Sequence, residues 1–232
     1  MCGVIPGRAW SSCGTSRPPL TRPASSRRGG SSEGSSIRAV FYFDLGSPYA
    51  YLAAERIGRL FPEPPLWQPI LLGGLFKRFG TGSWALGEAR ATNVAEIERR
   101  ARAYGLPPVV WPKPFPGNTL FAMRAATHAL EAGAVEAFAL TAFREAFASG
   151  RDLSLPDSVL RVAAVCGLAV QDVRAAVESS AVKDALHAAT KHAGDLGVRG
   201  MPSLLVGSTI YFGDDRLDAA AAAAKRHGRE RS

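Results

Sequence analysis

The amino-acid sequence predicts an α/β fold in which a βαβ unit and a ββα unit are separated by an all-helical insertion. Three observations predict it. Runs of β-branched and aromatic residues, which suit a pleated and half-buried surface, occur at 37–43, at 66–70 and at 202–212. Between the second and third runs, residues 73–196 repeat their apolar side chains at helical rather than alternating spacing. Clusters of proline and glycine, from Pro62 to Pro65 and from Pro107 to Gly117, punctuate the pattern. This order describes a sheet-forming domain at 37–72 and 197–226, split by a helical insertion at 73–196, with tails at 1–36 and 227–232.

The elements follow in order. Ile37-Arg-Ala-Val-Phe-Tyr-Phe43 is short, β-branched and aromatic, and reads as the first strand. A helix to about Leu60 follows, because Ser47 suits an N-cap and Pro48, with no N–H to lose, suits the first helical position. The prolines at 62–65 end that helix, and Leu66-Trp-Gln-Pro-Ile70 is the second strand. In the insertion, Val94, Ile97, Ala101 and Tyr104 share one helical face, opposite Glu96, Arg99, Arg100 and Arg102. After the proline-rich loop, Asn118 can cap a helix to about Ala132. Val135, Phe138, Ala142, Phe143 and Phe147 mark another buried face, and further helices cover about 156–166, 170–179 and 181–195. Pro202-Ser-Leu-Leu-Val206 and Thr209-Ile-Tyr-Phe212 flank Gly207-Ser208, a two-residue hairpin turn. Gly213-Asp214-Asp215 opens a last alanine-rich helix.

The 232 residues are 47% hydrophobic and 21% charged, which supplies apolar material for a sizeable core. No run reaches the roughly 18 uninterrupted apolar residues of a membrane span, so a soluble, cytoplasmic protein is expected. The net charge of +8 is uneven. Residues 1–36 hold Arg8, Arg17, Arg22, Arg27 and Arg28 against the single acid Glu33, and further cations follow Lys225. The remainder is near balance, which argues against a nucleic-acid face and stays compatible with a small anionic substrate. Nine serines and little apolar periodicity place residues 1–36 outside the fold, as a disordered tail. Their composition leaves open an organelle transit peptide or a misassigned start. The three cysteines include no CxxC pair, and Cys166, at the end of the run holding Val159, Val162 and Ala163, is expected as a buried small hydrophobe. His128, His187, His192 and His227 lack metal-ligand spacing, and no metal is expected.

Three short elements fall at strand or helix ends, where open α/β sheets bind ligands. Ser47-Pro-Tyr-Ala50 stands at a helix N-terminus, whose dipole and free N–H groups favour an anion. Serine has no redox chemistry, but its hydroxyl can donate to a thiolate and lower that thiol's pKa. Taken alone, the segment reads first as an ordinary Ser-Pro helix start. Gly200-Met201-Pro202 precedes a strand, the one place within it that tolerates proline apart from an edge or a bulge. A cis peptide there would present the Met201 backbone to an extended, peptide-like ligand. In Phe212-Gly213-Asp214-Asp215, the glycine permits a tight turn and either carboxylate can cap the following helix. The other carboxylate would suit an ammonium group and the free N–H groups a carboxylate, the two ends of an amino acid.

In this order and frame, the chain resembles the family of 2-hydroxychromene-2-carboxylate isomerases and kappa-class glutathione transferases, which share the DsbA-like thioredoxin fold. The match is carried by Phe41-Tyr-Phe-Asp-Leu-Gly-Ser-Pro-Tyr-Ala-Tyr-Leu-Ala53, Tyr104-Gly-Leu-Pro107, Gly197-Val-Arg-Gly-Met-Pro202 and Phe212-Gly-Asp-Asp-Arg-Leu217, and covers roughly 37–226. The resemblance implies a glutathione cofactor. Ser47 would be the catalytic residue, facing the sulfur; Met201, before a cis Pro202, would pair with the cysteinyl backbone. Phe212, Gly213, Asp214 and Asp215 would hold the γ-glutamyl end, with Asp215 taking its ammonium. In the isomerases of the family the thiolate adds reversibly to an unsaturated 2-oxo acid and is recovered after bond rotation. The implied partner is an aromatic or electrophilic carboxylate, with no nucleic acid or membrane. Family members commonly form homodimers, which this sequence neither supports nor excludes.

Two departures stand out. Asp214 occupies a place where the family often has Asn or Ser, and its charge would oppose the glutathione α-carboxylate. The substrate wall also diverges: Lys77, Arg78 and Lys113 are its candidate cations, and Ser83, Trp84 and Phe115 its candidate lining. Until that wall is known, a kappa-like transferase or peroxidase stands beside the isomerase. A dithiol–disulfide oxidoreductase is opposed by serine in the redox position. A non-catalytic thiol- or peptide-binding module would keep Met201-Pro202 without needing Ser47.

Overall fold

Four strands form one mixed sheet in the order β2-β1-β3-β4 in the computed structural model, which describes residues 38–229. The expectations for residues 1–36 and for the last residues of the basic tail lie outside the described residues. β1 (Val40–Phe43) runs parallel to β2 (Leu66–Pro69) and antiparallel to β3 (Ser203–Val206), which pairs antiparallel with β4 (Thr209–Phe212). Val40 stands opposite both Leu66 and Leu205. A parallel pair needs a crossover, and α1 (Pro48–Leu60) supplies it. The hairpin needs only Gly207-Ser208, with Gly207 at φ +60°.

Between β2 and β3 lie α2 (Leu72–Phe79), α3 (Arg90–Ala103), α4 (Leu120–Glu131), α5 (Val135–Phe147), α6 (Pro156–Val165), α7 (Val170–Glu178) and α8 (Ser180–Asp195); α9 (Leu217–Arg229) follows β4. α4 packs against α5, α6, α7, α8 and β2, and its buried Ala122, Ala125, Ala126 and Ala129 allow that close approach. Aromatic side chains join the helices to the sheet. Phe41 meets Trp67 edge-on at 4.8 Å, and Phe43 meets Phe143 of α5 at 6.0 Å. Tyr51 of α1 lies 5.7 Å from Phe147.

Local details depart from the sequence-based expectations. β1 begins at Val40, three residues later than the run suggested, although the Ala39 carbonyl still accepts the Leu66 N–H at 2.8 Å. The residue capping α4 is Thr119, whose hydroxyl donates to Asp44 instead of capping; Asn118 Oδ1 accepts the Leu120 N–H at 3.0 Å. Cys166 is only half buried, because it sits past the last turn of α6, with its thiol 3.6 Å from Thr141 Oγ1. A 3₁₀ turn, Asp214–Arg216, precedes α9, and no side chain caps it.

Candidate functional site

Where β1 ends, the chain turns through Asp44 to Ser47 into α1. The Ser47 N–H donates to the Asp44 carbonyl at 2.9 Å, and Ser47 caps α1, its Oγ accepting the Ala50 N–H at 3.2 Å. Asp44 is buried and holds this turn in place. One carboxylate oxygen accepts from the Gly46 N–H (2.8 Å) and the Thr119 hydroxyl (3.1 Å), the other from the Leu72 N–H (2.8 Å). Burial pushes its pKa up, against the pull of those three donors.

Ser47 lies in the wall of a cavity of about 580 Å³. Gly200 and Met201 line it from before β3, Phe212 to Asp215 from after β4, and Ser83, Trp84 and Phe115 from the helical insertion. Segments remote in sequence are thereby brought together. Met201–Pro202 is a cis peptide. Pro202 is outside the cavity lining, and its carbonyl accepts the Gly213 N–H at 3.0 Å, which joins the two loops. Two glycines are required by this packing. A Cβ on Gly200 would stand 2.7 Å from the Phe212 ring, and Gly213 adopts φ +104°, where a Cβ would run into the Asp215 carboxylate.

Asp214 does not cap a helix. Its carboxylate points inward, fully buried, and accepts from Arg100 Nη1 at 2.7 Å and the Tyr104 hydroxyl at 2.8 Å. Its carbonyl accepts from Arg56 at 3.0 Å, and the Arg56 guanidinium lies 4.0 Å over the Tyr104 ring. The negative charge expected to oppose an anionic ligand is therefore paired. Arg100 was assigned to the polar face of α3, but the turn after β4 reaches it, while Arg99 and Arg102 stay exposed. There Arg100 lines the cavity and also pairs with Glu96 at 2.7 Å and with Asp215 at 3.8 Å. Asp215 keeps a side chain 58% exposed.

Burial raises the Asp214 pKa, while Tyr104 and Arg100 lower it. Burial, and then the bond to Asp214, push the Tyr104 phenol up to about 12. A group whose pKa is raised on folding adds stability that is complete below its unfolded value of 10.0 and is lost as pH rises through about 12. Near-UV titration should accordingly show several tyrosines ionising late, one fewer in Tyr104→Phe, and the fall in stability across that same alkaline window should be smaller in that variant.

The insertion contributes an aromatic wall. The Tyr49 ring meets Trp84 at 6.1 Å, and Trp84 meets Phe115 at 5.8 Å. The Tyr49 hydroxyl donates to Asn93 Oδ1 at 2.6 Å, and burial holds its pKa above the usual phenol value. Ser83 caps a 3₁₀ turn, its Oγ accepting the Ala85 N–H at 3.2 Å. Of the residues expected for the substrate wall, Ser83, Trp84 and Phe115 line the cavity. Lys77, Arg78 and Lys113 do not. Lys77 follows inward Phe76 by one residue, so its side chain leaves α2 on the exposed face. Arg78 pairs with Asp195 at 2.8 Å, and Lys113 is exposed in its loop. The lining cations are Arg100 and Arg199. Arg199, inside the Gly197–Pro202 motif, was legible as a candidate from its place two residues before Met201.

Among the described residues, no group of three or more His, Cys, Asp or Glu side chains is placed to hold a metal, and no helix is long and apolar enough to cross a membrane. The arrangement offers a serine hydroxyl and a helix N-terminus for an anion, a half-exposed carboxylate for a cation, and an aromatic wall in the same cavity.

Comparison with known proteins places the chain in a family. The chain is 28% identical, over 188 residues, to a 2-hydroxychromene-2-carboxylate isomerase from Sphingobium xenophagum, covering 77% of this chain and 93% of that protein. A solved 2-hydroxychromene-2-carboxylate isomerase superposes with a TM-score of 0.76 at 22% identity, over 84% of this chain and 98% of the other. The cytosolic disulfide reductase DsbM from Pseudomonas aeruginosa, solved with GSH, superposes with a TM-score of 0.55 at 14% identity, over 84% and 98%. The two structural likenesses are likenesses of fold. The model of the DSBA-like thioredoxin domain matches residues 38–225, and the chain belongs to that family.

Proposed function

We propose that this protein is a glutathione-dependent isomerase of the 2-hydroxychromene-2-carboxylate type. The observation that carries the reading is Ser47 at the N-terminus of α1, lining one cavity with Met201 of the cis Met201–Pro202 peptide. The donor set fits glutathione. A serine hydroxyl suits a thiolate, the Met201 backbone suits a peptide, and the half-exposed Asp215 suits an ammonium. Gly200 and Gly213 keep the walls free of Cβ atoms that would displace Phe212 and Asp215. The name of the curated relative and the GSH in the disulfide reductase structure support the same reading.

When bound, glutathione supplies a thiolate that adds reversibly to an unsaturated 2-oxo acid and is recovered. The chain's residues do the rest. Ser47 Oγ accepts the Ala50 N–H, so its proton is left to donate into the cavity and hold negative charge at sulfur. The dipole of α1 acts in the same direction. Met201 fixes the peptide backbone, and Phe212, Gly213, Asp214 and Asp215 hold the γ-glutamyl end, Asp215 at its ammonium. Tyr49, Trp84 and Phe115 offer planar apolar surface to an aromatic substrate and keep water from it.

Calorimetric titration with glutathione tests the reading, followed by thiolate absorbance and an absorbance assay on 2-hydroxychromene-2-carboxylate. Binding, a thiolate band at neutral pH and glutathione-dependent isomerisation are expected. Absence of binding would remove the reading, and binding without isomerisation would move the protein to the transferases.

A further inference from the structure

We infer that Arg199 is the carboxylate-recognising residue of the cavity, an inference that rests on the glutathione reading above. Four charged side chains line the cavity: Arg100, Arg199, Asp214 and Asp215. Three of them answer one another. Arg100 holds Asp214 at 2.7 Å, stands 3.8 Å from Asp215, and is further neutralised by Glu96 at 2.7 Å. Arg199 has no carboxylate within ion-pair distance among the described residues. Of the two cations that line the cavity, Arg199 is therefore the one without a carboxylate partner.

Its setting is built to present that charge. The guanidinium lies 4.8 Å over the ring of Phe79, at the end of α2. Stacking on an aromatic face restrains the plane while leaving the N–H edges free, the edges that match a carboxylate with two parallel hydrogen bonds. Its neighbours fix the backbone: Val198 and Gly200 are buried, and Gly200 lies against Phe212. Arg199 stands on the α2 side of the cavity and Asp215 beside Arg100 of α3. A ligand with an ammonium at one end and a carboxylate at the other would span that pair. Glutathione, with its γ-glutamyl ammonium and glycyl carboxylate, meets that description, and the carboxylate of the electrophile is the other group that could take the guanidinium.

Arg199→Gln and Arg199→Lys, made in the full chain, separate the sources. Dissociation constants are measured by calorimetry for glutathione and for its glycyl monoethyl ester, and KM for 2-hydroxychromene-2-carboxylate. If the glycyl carboxylate is the partner, Arg199→Gln weakens glutathione tenfold or more, leaves the ester unchanged, and Arg199→Lys recovers part of the loss. If the electrophile is the partner, glutathione affinity is unchanged and KM rises tenfold or more at constant kcat. Effects of Arg199→Gln below twofold on both would overturn the inference while leaving the glutathione reading standing. A wild-type protein that binds neither form of glutathione would remove that reading and this inference with it.

Discussion

Replacing Ser47 by alanine is expected to lower turnover by about 10²–10³-fold, the cost of removing one preorganised donor from a negative centre. The same substitution removes the cap of α1, since Ser47 Oγ accepts the Ala50 N–H at 3.2 Å. Loss of a serine cap costs about 1 kcal/mol, a small part of the stability of a domain this size. The two consequences therefore separate. Melting temperature should fall by a few degrees at most, while the thiolate absorbance of bound glutathione disappears at neutral pH. An alanine variant that keeps both its thiolate band and its turnover would refute the assignment of Ser47.

Arg100→Met is expected to destabilise the fold by about 3–5 kcal/mol, because it strands a buried carboxylate. Asp214, 1% exposed, would keep only the Tyr104 hydroxyl. Urea denaturation measures the loss, and the double variant Arg100→Met with Asp214→Leu should recover part of it, since no unpaired charge then remains. The pH dependence has a definite sign. Burial already raises the Asp214 pKa, and Arg100 is among the groups that hold it down. Without Arg100 the folded state binds that proton more tightly than the unfolded chain does, so the deficit should shrink as pH falls. A deficit independent of pH would mean that the charge on Asp214 is not its cause.

The strands were legible in the sequence because each is a short segment rich in β-branched, aromatic or leucine residues between strong breakers, although β2 also holds Gln68 and Pro69. The start of α1 was legible because Ser47 and Pro48 carry their own local chemistry. The faces of α3 were only partly legible. Ile97 and Ala101 are buried as their spacing requires, but a helical period says nothing about what covers the opposite side. Arg100 and Asp214 are 114 positions apart and meet only when the chain folds back, so their pairing leaves no local trace. Lys77 was misplaced for a related reason. The site's need for a cation was visible, but one step along a helix rotates a side chain by about 100°, enough to turn it out of the cavity. Arg199 meets that need from an irregular segment, where no period applies.

The pairing of Val40 with Leu205 has a consequence during translation. β1 and β2 leave the ribosome long before Ser203 is made, so one edge of β1 waits with unpaired amide groups beside Phe41 and Phe43, an invitation to association with other nascent chains. The helices around α4 draw on contacts nearer in sequence and can gather first. Ligand recognition then comes last in biogenesis, because the hairpin that covers the bare strand also brings Met201 and Asp215 to Ser47.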